Sequence, residues 1–261
     1  MSAGTFTPSL TAAPRAGGVR RPSFALLTAV ELRKAVDTRA GRVLLAGMLL
    51  LSVATLGYLL ATAKAGTLEY AAWVRDSTIP VALLLPVLGV LATASEWTQR
   101  TALTTFTLTP RRGRVLGAKL LAAVTLGLVV TVLVEVLAAG AVLLRAAVVG
   151  GPVVWTDLGP TLAGSVVAAG LALLMGAAMG ALVQQSAGAI VAYFAAPSAV
   201  VVAGAVLFGD RAEWIDVNGA FERISSFDLD GHLAPSVTAV LLWVGLPLVF
   251  GVLRSLRRDV S

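Results

Sequence analysis

Six apolar runs, each of bilayer-crossing length, divide this chain: Val43 to Ala63, Thr78 to Ala94, Val115 to Val136, Thr161 to Val183, Ala187 to Phe208 and Val237 to Leu253. At a rise of about 1.5 Å per residue, a helical run of roughly 20 residues crosses a hydrocarbon core of roughly 30 Å. The second and sixth runs are short, and Pro86 and Pro247 are expected to kink them, which neighbouring helices compensate. Before the first run, Pro22 to Arg42 predicts a helix opened by its proline, with Ala25, Ala29, Leu32 and Val36 on one side and Glu31, Lys34 and Thr38 on the other. Arg33 and Asp37 are spaced for an i,i+4 pair. Such a helix either lies on a membrane surface or packs on its own bundle. Between the fifth and sixth runs, Gly209 to Pro235 alternates acids with apolar residues, including Trp214, Phe221 and Phe227, and predicts short interfacial or re-entrant helices. The expected fold is therefore an all-α polytopic bundle: residues 1–21 form a disordered tail rich in Ser, Thr, Pro and Gly, and 22–261 a single transmembrane domain.

Composition adds the solvent. With 57% hydrophobic and 13% charged residues, the polar side chains are too few to cover a water-soluble surface. Charge adds orientation. Of the 20 Lys and Arg, 15 fall before the first run, between the second and third through Lys119, or after the sixth, together with four acids. The alternate connections hold five basic residues and, besides Glu135, nine acids. Basic residues near span ends are retained on the cytoplasmic side, so both termini are expected there, in a bacterial plasma membrane. The net charge of +6 follows from this topology and from attraction to anionic lipid, and nucleic acid is not an expected partner. A cleavable signal peptide at the first run is excluded by its 42-residue polar leader and long apolar stretch. The absence of cysteine excludes disulfides and thiolate chemistry.

Three local features bear on function. Glu96 to Lys119 is a basic polar island far longer than the Gln184–Ser186 connection, and with Arg100, Arg111, Arg112 and Arg114 it reads as a docking surface. In the fourth run Gly164, Ala168, Ala172, Gly176 and Gly180 form a small-residue stripe that lets another helix approach, within one subunit or between two. Glu135 is the one ionisable residue well inside an apolar run, and it serves transport or reaches the outer interface. Trp73, Trp155 and Trp214 on the outer side and Trp97 on the inner suit an interfacial belt, and His232 reads as an ordinary loop residue.

The inventory offers no enzyme. One histidine and no HExxH leave nothing for zinc catalysis, Ser165 has no intramembrane base, and Gly113 to Lys119 lacks the phosphate-loop spacing. Over essentially its whole length the chain resembles the membrane subunit of the ABC type-2 transporter permease family. The resemblance rests on the basic N-terminal helix, the six spans, Glu96 ending the second, Thr101, the Thr109-Pro110-Arg111-Arg112 run, Lys119 entering the third and the long segment before the sixth. Members often carry Gly-Thr where Arg100-Thr101 stands here. The resemblance implies a coupling helix between spans two and three, seated on a separate ABC ATPase subunit. It also implies a second permease subunit, identical or similar, and ATP and magnesium bound by the ATPase, with no cofactor on this chain. Glu96 would anchor the coupling region, Arg100 and Arg111 to Arg114 would contact the ATPase or lipid phosphates, and the segment around Trp214 to Leu229 would gate. Apolar, Gly-rich spans suit hydrophobic or amphipathic cargo. Two other classes remain open: a proton- or sodium-coupled carrier using Glu135, and a non-transporting anchor or regulatory subunit.

Overall fold

The computed structural model describes residues 23–64, 66–99 and 112–257, excluding the side chains of Glu96, Arg112, Leu256 and Arg257. Within it six helical segments are long and apolar enough to cross a membrane, matching the six runs. The expected disordered tail lies outside the described residues.

The helix expected over 22–42 is two helices. Ser23 caps α1 (Phe24–Asp37), its Oγ accepting from the Leu26 N–H at 3.1 Å. Thr38 is extended and ends α1 while its Oγ1 accepts from the Gly41 N–H at 3.2 Å, starting α2 (Arg39–Thr62). A threonine that caps the following helix leaves helical geometry itself, which is why the break falls there. After α2 come β1 (Leu68–Glu69) and α3 (Tyr70–Thr98), then α4 (Arg112–Val149) and β2 (Val153–Val154). The remainder is α5 (Leu158–Val183), α6 (Ser186–Phe208), a 3₁₀ turn (Gly209–Trp214), α7 (Val217–Ser225) and a last span made of α8 (Leu233–Val240), a π turn (Leu241–Gly245) and α9 (Leu246–Arg257). The π turn falls just before Pro247, where the missing N–H and the ring disturb the regular ladder.

Two differences from an all-α bundle matter. β1 and β2 pair in parallel, Leu68 opposite Val153 and Glu69 opposite Val154, clasping two connections at one end of the bundle. Gly151, at φ +125, lies against the Gly66 carbonyl, an approach no side chain would allow. The third span also runs well past Val136, to Val149, because its Ala, Leu and Val continue until Gly150 and Gly151.

Core side chains form stacked clusters. Met48, Val81, Leu85, Val130 and Leu173 fill the middle, while Leu56, Tyr70, Trp73, Val74, Ala138 and Val142 fill the end carrying the strands. Trp73 is only 5% exposed, so it belongs to the core and not to an aromatic belt, whereas Trp155 and Trp214 are exposed. The central seam joins α3 and α5. Gly89 meets the Leu173 carbonyl, Gly176 meets Pro86, Gly180 meets Val90 and Thr93, and Thr93 Oγ1 donates to the Ala177 carbonyl at 2.9 Å. The small-residue stripe thus packs inside one chain. By contrast α2 and α6 bury little, leaving Leu50, Tyr58, Val202 and Val206 exposed as a lipid-facing surface would.

Candidate functional site

Three polar groupings stand out, one at the end of the bundle carrying α1, one inside, and one at the end carrying α7.

At the α1 end, α1 lies along the first turns of α4. Its packed face is Leu27, Thr28, Glu31, Leu32 and Ala35, and the Phe24 ring sits near Gly117. Ala25, Ala29 and Val36 are exposed, and Glu31, expected on the polar side, points into the bundle. Its Oε2 accepts from Lys119 Nζ at 3.0 Å and its Oε1 from Lys34 Nζ at 3.2 Å. The Lys119 and Glu31 side chains keep only 7% and 15% of their exposure, so both are largely desolvated. A lysine in the apolar start of a span needs such a counter-charge, since an unpaired buried ammonium costs several kcal/mol. Arg33 pairs with Asp37 at 3.2 Å, but both are open to solvent, and such a pair contributes about 1 kcal/mol at most.

The same end carries contacts between helix termini. Thr98 and Ser186 hydroxyls lie 3.1 Å apart, and Thr98 Oγ1 also accepts from the Ser186 N–H. Gln184, buried and in a left-handed cap conformation, donates to Ser255 Oγ at 3.4 Å, and Arg254 Nη1 donates to the Leu182 carbonyl at 2.6 Å. Arg114 is half-buried in the first turn of α4. Arg100, Thr101, Pro110 and Arg111 lie outside the described residues, as do the side chains of Glu96 and Arg112.

Inside the bundle, Glu135 is 3% exposed. It accepts from the Ser165 hydroxyl of α5, and its backbone carbonyl accepts from the Tyr70 hydroxyl of α3 at 3.1 Å. Its helix continues past it to Val149. Glu135 ties three helices together, and among the described residues no basic side chain forms an ion pair with it. Gly127 is level with Leu85 and Leu173, and Glu135 lies eight residues, or about 12 Å, further along α4. Each neighbouring helix has a hydroxyl between the same two apolar clusters: Ser52 on α2, Ser77 on α3 and Ser165 on α5, with Thr131 beside Glu135 on α4. Ser77 and Thr131 donate to carbonyls of their own helices. The Ser52 hydroxyl is buried with no partner among the described residues.

At the α7 end, the segment after α6 folds back so that Ile215 packs on Gly204, and Trp243 Nε1 donates to the Ile215 carbonyl at 2.9 Å. Asp216 caps α7, accepting from the Gly219 N–H at 3.0 Å. α7 then crosses α5 at Gly164, where a Cβ would lie 2.5 Å from the Ile224 and Ser225 carbonyls. Phe221 is half-buried in the cluster of Met175, Met179, Val217 and Trp243, while Trp214 and Phe227 are exposed. Phe227 adopts φ +58, closing α7 with its N–H on the Ile224 carbonyl and the Asp228 N–H on the Arg223 carbonyl. Glycine usually fills that position. His232 Nδ1 lies 2.9 Å from Glu213 Oε2, joining the 3₁₀ turn to the start of α8.

No protein-family model matches this chain, and no curated protein matches it. Sequence reasoning missed the partners rather than the residues. Lys119 was visible as a charge inside an apolar run, a signal that an acid must face it. Tyr70 and Ser165 carried no such signal, because hydroxyls are common in apolar helices and satisfy themselves on their own carbonyls.

Proposed function

We propose that this chain is the membrane-spanning permease subunit of an ABC transporter of the type-2 class, driven by ATP hydrolysed on a separate subunit and exporting a hydrophobic or amphipathic molecule. The observation that carries the reading is the docking of α1 on the start of α4 through Glu31 and Lys119. It joins the N-terminal helix to the helix that emerges from the basic Glu96 to Lys119 block, so a partner seated on that block would act on a helix of the core rather than on a loop. In this reading the α1 end faces the cytoplasm, α1 lies at the lipid interface, and Arg100, Thr101, Pro110, Arg111, Arg112 and Arg114 meet the ATPase. Two permeases, alike or paired with a similar chain, hold the path between them, and ATP-driven closure of two ATPases tilts the bundles between two access states. The folded-back segment with Trp214, Phe221 and Phe227 gates the far side.

Purification of the tagged chain from its native membrane in mild detergent tests this. A nucleotide-binding subunit recovered at one per permease, with ATP hydrolysis that depends on the complex, supports the reading. Its absence under conditions that preserve other membrane complexes refutes it. A second reading, an ion-coupled carrier, draws on the buried Glu135 with its Ser165 hydrogen bond.

A further inference from the structure

Glu31 divides its carboxylate between two lysines. One oxygen holds Lys34 of its own helix, a side chain about half exposed, and the other holds Lys119 of α4, which is nearly sealed from solvent. α1 also packs along the start of α4 through Leu27, Thr28, Leu32 and Ala35, with the Phe24 ring near Gly117. Along the chain α1 joins α2 at the extended Thr38, where Gly41 lies against the Ala35 carbonyl. Beside this packing, the Glu31–Lys119 pair is a largely desolvated polar tie from α1 to the start of α4. A buried ion pair is a weak source of stability relative to apolar packing of the same volume, but it fixes one register and fails when either partner is lost. A joint that must hold two helices in one relative position through a movement requires that combination.

We propose that Glu31 and Lys119 are positioning residues that make α1 and the start of α4 move as one body, so that force applied at the basic block reaches the α4 core. Lys34 steers the Glu31 carboxylate from the solvent side and is the lesser contact of the two. The coupling half of this inference rests on the ATP-driven reading above; the mechanical half does not.

Two measurements on the full-length chain separate them. The chain has no native cysteine, so F24C/G117C gives a clean background for a short thiol-specific crosslinker in native membranes. E31K and K119E should each cut the crosslinked fraction several-fold, and E31K/K119E should return it close to the parent level. Crosslinking unchanged in the single variants, or not recovered in the double variant, overturns the joint. In vesicles containing the permease–ATPase complex, each single variant should keep ATP hydrolysis while transport per ATP falls at least about tenfold, and the charge-swapped double should recover most of it. A merely structural role would lower hydrolysis and transport together and leave their ratio unchanged, which overturns the coupling role. If no ATPase accompanies the chain, the ATP-driven reading falls, and the crosslinking result still decides the joint.

Discussion

Gly176 is the position where a single methyl group should matter most. Its α-carbon faces the backbone of Pro86, and a Cβ added there would fall well inside contact with the Pro86 carbonyl oxygen, carbonyl carbon and α-carbon. None of these atoms belongs to a flexible side chain, and the proline ring fixes its own φ, so local relief is closed off. G176A must part α3 and α5 by about 1 Å to restore ordinary contact, loosening Gly89 against Leu173 and Gly180 against Thr93 along the same seam. Overpacking of this kind costs about 1–3 kcal/mol. Weakening of the Thr93 to Ala177 hydrogen bond adds about 0.6 kcal/mol. The better helix propensity of alanine returns about 1 kcal/mol at most, leaving a net loss of about 1–3 kcal/mol. Gly170, on the same helix with nothing within 4 Å of its virtual Cβ, is the internal control, and G170A should be neutral or slightly stabilising. Thermal unfolding of the two purified variants in one detergent reads the difference directly. If G176A melts with G170A, the close α3–α5 seam does not exist as described.

Other outcomes follow from the same geometry. F227G removes a bulky side chain from a left-handed position and should raise stability by about 1 kcal/mol, seen as a higher melting temperature. S165A deprives the buried Glu135 carboxyl of its donor and should destabilise by about 1–3 kcal/mol in the same assay. E135Q keeps a hydrogen-bonding group at that place and should largely preserve ATP-driven transport in vesicles; loss of transport driven by an ion gradient would instead favour the carrier reading. R111E/R112E should weaken recovery of an ATPase subunit or lower ATP-driven transport while leaving the chain in the membrane fraction, and unchanged coupling in reconstituted vesicles would remove those arginines from the docking surface.

Much of the architecture was legible because lipid imposes a crude rule: a segment that crosses must be long, apolar and helical. All six spans obey it, and Pro247 marks its disturbance openly, whereas the break at Thr38 and the run of the third span to Val149 depart from the expected bounds. On α1 the packed side carries Glu31, which has a lysine to meet, while Ala25 and Ala29 on the other side stay exposed, a choice that amphipathic spacing left open. Trp73 was assigned to the interface by residue type, whereas its position beside Val74, Ala138 and Val142 puts it in the core.

What the sequence determined by itself is therefore what depends on neighbours in the chain and on the solvent: six crossings, two amphipathic segments between and before them, and a basic block joining the second and third spans. What only the tertiary structure decided is which residues from distant helices meet. Glu31 and Lys119 lie 88 positions apart, Thr93 and Ala177 lie 84 apart, and Tyr70 reaches Glu135 across 65. Periodicity places each of these on a face of its own helix, but rotation and depth of one helix against another are set by how glycines and side chains interlock. Those interlocking shapes, and the few buried polar atoms that must find one another within them, exist only once the helices have packed.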